Sequence, residues 1–275
     1  MIATPTRMII TDNFDYLLMK IDITSLRKTF GEKVAVDIDE YHIGHGEMIG
    51  LVGNNGAGKT TLFRLMLDLL KADQGTVEFG IPVSSENENT SSSETEQKVN
   101  PAESEVWKDH TGAYVDDSFL IDFLTPEEYF DFIGKVCGMD KGEVDTHVKE
   151  FEHLMAGEIM DQKKLIRDFS AGNKQKIGII AALLNRPSLV ILDEPFNFLD
   201  PSSQNILKHV LTEYNRNTGA TIIISSHNLS HTIDICPRIT LLEHGHIVKD
   251  LSNIDHSAAD ELNQYFDQQA ERVDN

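Results

Sequence analysis

The sequence predicts an α/β fold with a mixed, largely parallel sheet at its centre. Three observations carry this. Short runs that are almost wholly apolar recur at 48–52 (MIGLV), 188–193 (SLVILD) and 221–225 (TIIIS). Such runs suit strands covered on both faces of a parallel sheet. The first passes through a glycine-rich loop into an amphipathic helix, and a helical stretch at 125–165 separates it from the other two.

The elements follow in order. Residues 1–18 show no clear period, and Met19 opens the better-organised part of the chain. They read as an N-terminal extension, with Met19 the expected natural start. Residues 20–26 and 34–43 alternate polar and apolar positions, as half-buried strands do. GHG at 44–46 turns the chain into MIGLV. After the glycine loop, Leu62, Leu65, Met66 and Leu69 fall at helical spacing.

Residues 84–105 carry six glutamates, Glu86, Glu88, Glu94, Glu96, Glu103 and Glu105, against the single cation Lys98. With almost nothing apolar to bury, this stretch is expected to be a disordered surface loop. Thr125-Pro126-Glu127-Glu128 is a helix start, with threonine as cap, proline at the first position and carboxylates in the first turn. Phe130, Ile133, Val136 and Cys137 would give that helix its apolar face. Residues 239–250 (ITLLEHGHIVKD) read as a hairpin turning at His244-Gly245, and the end of the chain as a tail with a short helix near 260–269.

Composition excludes several classes. Lysine and arginine total 24 and aspartate and glutamate 45, a formal charge of −21. That argues against a nucleic-acid binder, which gains its affinity from clustered cations. The two cysteines, Cys137 and Cys236, form no CxxC pair, so neither a disulfide framework nor a structural zinc is expected. The longest apolar run, 177–184 (IGIIAALL), is far short of the roughly 20 residues of a membrane-spanning helix. The N-terminal apolar region is broken by Asp12, Asn13 and Asp15 before it makes a signal peptide. The chain is expected to be cytoplasmic unless a partner holds it at a membrane.

Four segments carry chemistry. Residues 53–60 (GNNGAGKT) match the phosphate-binding loop G-x-x-x-x-G-K-[ST]. Glycines let backbone N–H groups wrap phosphate oxygens, and the following helix adds its N-terminal positive charge. Lys59 would reach the β- and γ-phosphates, and the Thr60 hydroxyl would bind Mg²⁺. Residues 188–195 (SLVILDEP) end a buried strand in two carboxylates, costly there without a cation. Asp193 would hold Mg²⁺ and Glu194 would polarise the attacking water. Residues 169–176 (FSAGNKQK) open an apolar helix with small residues, a second anion cradle or an ordinary cap, with Lys174 and Lys176 adding charge. His227 ends the apolar strand TIIISS; such a histidine is usually structural, but this is the sheet edge where α/β folds bind ligands. The other ten histidines have no supporting ligand set.

With these motifs in this order, residues 20–250 resemble the ATP-binding subunit of an ABC transporter. GNNGAGKT matches the family's Walker A loop and VILDEP its Walker B strand. FSAGN stands where the signature sequence, usually LSGGQ, is found. Phe198-Leu199-Asp200 matches the D-loop, His227 the switch histidine, and Phe30 the aromatic residue that stacks on adenine. The resemblance implies ATP contacts from Phe30, Gly53, Asn54, Asn55, Gly56, Ala57, Gly58, Lys59, Thr60 and Thr61. It implies catalytic roles for Glu194, His227 and Lys59. It also implies that Ser170, Gly172, Asn173 and Asp200 act on nucleotide across a cassette dimer.

Three departures stand out. Ala171 replaces the first signature glycine and Asn173 the glutamine, although an amide still donates and accepts. Tyr114-Val115-Asp116-Asp117 stands where relatives read YxPQ, which puts Asp117 at the glutamine position and makes it a candidate third metal ligand with Thr60 and Asp193.

The implied fold is a P-loop NTPase with a mixed or parallel sheet core, an antiparallel β subdomain and an inserted helical subdomain. Residues 20–118 and 187–252 would form the ATP-binding core, 119–186 the helical subdomain and 253–275 a C-terminal tail. The implied function is ATP binding and hydrolysis powering transport through a separate transmembrane permease, with ATP sandwiched between this chain and a second cassette. ATP and Mg²⁺ are the implied cofactors. The implied location is peripheral, on the inner face of the cell membrane. The Tyr-Val-acid segment followed by the Thr-Pro-Glu-Glu helix resembles export-type subunits. Two alternatives stand beside this: a soluble ABC ATPase in an assembly process, and the low-turnover half of a heterodimeric transporter.

Overall fold

The computed structural model describes residues 19–82, 96–255 and 257–273. The extension 1–18 and residues 83–95 of the acidic stretch lie outside the described residues. β1 (Lys20–Phe30) and β2 (Lys33–Ile43) form an antiparallel hairpin closed by the pair Phe30 and Lys33. Ile21 and Ile23 alternate inward, and then Ser25 takes a left-handed backbone, φ 49°. This irregularity lets Leu26 face inward as well, despite the break in the two-residue period. β3 (Met48–Val52) is buried throughout and feeds α1 (Lys59–Met66). Leu62, Leu65 and Met66 are buried as expected, but Leu69 is 48% exposed. The helix has already ended, because Asp68 turns left-handed at φ 52°.

β4 (Gln74–Pro82) pairs with β1, and β5 (Glu96–Val99) pairs with β4. The second half of the stretch expected to be disordered is therefore ordered. Strand pairing, the Lys20–Glu96 ion pair at 2.5 Å and the burial of Val99 offset its polar composition. Trp107 follows, its ring packed edge-on against Phe79. β6 (Thr111–Tyr114) then enters the second sheet.

Four helices separate β6 from β7. α2 (Pro126–Val136) carries a complete capping box: Glu128 N–H donates to the Thr125 hydroxyl and Thr125 N–H to the Glu128 carboxylate. Its buried face is Tyr129, Phe130 and Gly134, with Ile133 partly covered. Val136 and Cys137, expected on that face, are exposed at the helix end. α3 (Lys141–Glu150) repeats the box with Asp140 and Glu143, and α4 (Glu152–Met155) follows. α5 (Ala171–Leu183) is apolar on nearly every side and is buried from Gln175 onward. Gly178 allows α5 to lie on β6: a Cβ there would stand 2.3 Å from the Tyr114 ring.

β7 (Leu189–Leu192), α6 (Pro201–Thr218), β8 (Thr221–Ser226), α7 (Leu229–Ile233), β9 (Arg238–Glu243) and β10 (His246–Ser252) complete the core. β9 and β10 form the expected hairpin, with His244 and Gly245 both at positive φ, as a tight two-residue turn requires. α8 (Ala258–Val273) is not a solvated tail. Ala258 and Leu262 are buried in the main core, and Lys249 pairs with Glu261 at 2.5 Å.

Two sheets result. One is antiparallel in the order β2-β1-β4-β5; the other runs β10-β9-β3-β8-β7-β6, parallel except for its β10 edge. The parallel register brings the carboxyl ends of β3, β7 and β8 side by side. This is the edge where open α/β sheets bind ligands.

Candidate active site

The glycine loop is shaped by its contacts. Gly53 N–H donates to the Ser226 carbonyl at the end of β8, and Gly245 N–H to the Ala57 carbonyl. A Cβ on Gly53 would stand 2.2 Å from the Leu242 carbonyl oxygen, and one on Gly58 2.2 Å from that of Ala35. Gly58 is also left-handed, φ 115°, and α1 begins there with no side-chain cap. The N–H groups of its first turn are thus left for an external acceptor. Asn54, Asn55 and Gly56 are exposed, Ala57 is buried, and Thr61 is half-buried on α1. This cradle fits a chain of phosphates.

Asp193, just past β7, is buried, and its N–H donates to the Tyr114 carbonyl. Its carboxylate accepts the Ser225 hydroxyl on one oxygen and the Thr60 hydroxyl on the other, the latter at 2.5 Å. Burial pushes its proton affinity up; the hydroxyls of Ser225 and Thr60 offset part of this, the Glu194 charge adds to it and Lys59 opposes it.

Glu194 is held in a left-handed backbone, φ 48°. Its N–H donates to Ser225 Oγ, and its carbonyl accepts from Gln175 Nε2 on α5. Its carboxylate lies between two cationic or polar groups: Lys59 Nζ at 3.2 Å on one oxygen, His227 Nδ1 at 2.8 Å on the other. Lys59 also donates to the Gly53 carbonyl at 2.6 Å. Strain on a non-glycine residue persists where its surroundings enforce it, and such residues gather at functional sites.

Lys59, Thr60, Asp193, Glu194 and His227 are therefore one cluster, built from the ends of three adjacent parallel strands. Ser225 and Gln175 belong to it and were not singled out by the sequence. The signal for Ser225 was present: two hydroxyl residues close an otherwise apolar strand.

The remaining expected residues lie elsewhere. Ser170 caps α5, accepting from Asn173 N–H at 3.3 Å. Gly172 lies against the Phe198 carbonyl, where a Cβ would approach to 2.6 Å. Asp200 caps α6 through Ser202 and Ser203, and the Ser203 hydroxyl holds its carboxyl below the usual range. Phe30 is half exposed at the end of β1, with Lys28 Nζ 5.7 Å from its ring centre. Asp117 is exposed, and no hydrogen bond or ion pair joins it to Thr60 or Asp193 among the described residues. Asp116 turns inward instead and meets Arg64 of α1 at 3.0 Å.

Fold and site together define an α/β enzyme that binds nucleotide phosphates and hydrolyses them. Comparison with known proteins specifies the class. Residues 37–197 match the ABC transporter family. The chain is 33% identical over 228 residues to the uncharacterized ABC transporter ATP-binding protein YhaQ of Bacillus subtilis, covering 82% of this chain and 68% of that protein. It is 31% identical over 234 residues to the bacitracin transport ATP-binding protein BcrA of Enterococcus faecalis, covering 84% and 69%. Among solved structures, its fold is similar to that of the dimeric, post-hydrolysis ATP-binding cassette MJ0796 bound to ADP and Pi. The TM-score is 0.69 at 18% identity, over 85% of this chain and 98% of that one. The chain belongs to the ABC transporter family and is an ATPase that powers transport.

Proposed function

We propose that this chain hydrolyses ATP as one of two cassettes closing over nucleotide, and drives a separate membrane permease from the inner face of the cell membrane. The observation that carries this is the posture of Glu194, fixed in a strained backbone with its carboxylate between Lys59 and His227. That is where a base must stand to polarise a water against a phosphate lying in the glycine cradle. Lys59 supplies the positive charge for the phosphate, and His227 orients Glu194. Hydrolysis forms a bond from the water oxygen to the γ-phosphorus and breaks that phosphorus from its bridging oxygen.

Thr60 and Asp193 offer two hard oxygen donors at one point, a set that suits Mg²⁺. When bound there, the ion would neutralise charge on the phosphate oxygens. No helix of the described residues is long and apolar enough to cross a membrane. Exposed Ser170 and half-buried Gly172 and Asn173, at the start of α5, suit a surface that completes the partner cassette's nucleotide site. The names of relatives support an export reading: BcrA for bacitracin transport, and LnrL of Bacillus subtilis, 30% identical, for linearmycin resistance.

The test is Glu194→Gln. The variant is expected to bind ATP, to lose nearly all phosphate release and to elute as a dimer when ATP is present. Unchanged turnover would remove Glu194 from this role. Recovery of the tagged variant from native membranes with a stoichiometric multi-span protein would identify the permease; a purely soluble partner set would favour the assembly ATPase.

A further inference from the structure

We propose that Lys33 is a phosphate-binding residue of the nucleotide site, so that the tip of the β1–β2 hairpin grips nucleotide at two points. Phe30 and Lys33 are the last cross-strand pair of that hairpin, closed by Gly31 at φ 61° and Glu32. Cross-strand partners project to the same face of the pair. On this face the Lys33 ammonium reaches the glycine loop: Nζ lies 3.9 Å from the position a Cβ would take on Gly56. Gly56 is exposed at the outer tip of the loop and left-handed at φ 84°. A single hairpin thus carries an open aromatic ring and, as its cross-strand partner, an ammonium that overhangs the glycine loop.

The unpaired position of Lys33 points to an anionic ligand. In this strongly acidic chain the nearby lysines are paired: Lys28 of the same hairpin with Asp73, and Lys59 of the glycine loop with Glu194. Lys33 has no carboxylate within ion-pair distance among the described residues. Lys59 must give up Glu194 before it is free to meet a phosphate, whereas Lys33 is already available. An uncompensated ammonium over a ring of backbone N–H groups attracts the phosphate chain before the inner contacts form. The inference rests on the reading of 53–60 as the nucleotide site. It assigns Lys33 to binding and not to bond cleavage, because the ammonium lies over the outside of the loop.

The experiment is calorimetric titration of the full chain with ATP, ADP and AMP, in Lys33→Ala, Lys33→Arg and Lys59→Ala. Lys33→Ala is expected to weaken ATP about five- to tenfold, the scale of one charge-assisted contact at an open site. The loss should be smaller for ADP and smallest for AMP, with an unchanged melting temperature and a raised KM at nearly constant kcat. Lys33→Arg should restore most of the affinity. If Lys59→Ala abolishes binding while Lys33→Ala binds ATP as the parent does, the role of Lys33 is overturned and the site stands. Equal losses for all three nucleotides would also overturn it, since a phosphate contact must grade with phosphate number. If Lys59→Ala itself binds ATP normally, the nucleotide-site reading fails and Lys33 falls with it.

Discussion

α1 and α5 both begin at a loop of small residues, and by composition both N-termini suit an anion. The structure separates them. α1 opens at a left-handed glycine with no side-chain cap, and Lys59, Asp193, Glu194 and His227 converge on its first turn. α5 opens at Ser170, whose hydroxyl already accepts from Asn173 N–H, and its open end faces outward. One N-terminus leaves its donors for a ligand and carries its own acids; the other satisfies part of its backbone itself. A helix N-terminus becomes a chemical site through what the rest of the fold aims at it. In this chain α1 gathers acids, a lysine and a histidine at its first turn, while among the described residues α5 gathers no such cluster at its own.

The largest way to break this contrast is Gly58→Ala. A Cβ would collide with the Ala35 carbonyl in a backbone that only glycine adopts easily. The expected cost is about 3 kcal/mol or more in stability, with loss of ATP binding, read by denaturant melts and titration. A mild effect would mean that the loop is not held by β2.

Asp193→Asn sharpens the contrast from the other side. Burial raises the folded-state pKa of Asp193, so its favourable contribution is present at low pH and fades as pH rises through that pKa. The variant is therefore expected to melt higher than the parent at pH 7–8, with the gap closing toward pH 4, while ATPase activity is lost. Parallel melting curves at all pH values would show that Asp193 is not strained by burial.

The smallest effect is Ser170→Ala. Loss of the α5 cap should cost about 1 kcal/mol. The affinity of the single chain for ATP should stay unchanged, and turnover of the dimer should fall. A change in single-chain affinity would place α5 inside the chain's own site.

The sequence was legible where local chemistry decides. The glycine loop, the buried strands and the Thr125 cap depend on residues a few positions apart, and each appears where expected. It was misleading where the deciding partner is distant in the chain. Glu96-Gln97-Lys98 is polar, and it becomes a strand because β4 offers an open edge and Lys20 a counter-charge. α8 is acidic and polar in composition, but Ala258 and Leu262 find the main core. At the site, the turn after β6 directs Asp116 to Arg64 of α1, a contact that no local pattern announces.

By itself the sequence determined the parallel α/β core, the phosphate cradle and the identity of the acids and histidine around it. These follow from hydrophobic period, from glycine's access to positive φ and from charge at the ends of apolar strands. Only the tertiary structure decided that Ser225 bridges Asp193 and Glu194, that Gln175 holds the Glu194 carbonyl and that Lys33 overhangs the loop. Those contacts join elements far apart in the chain. They exist because parallel pairing and hairpin closure fix which strand ends and turns become neighbours, and no local pattern encodes that register.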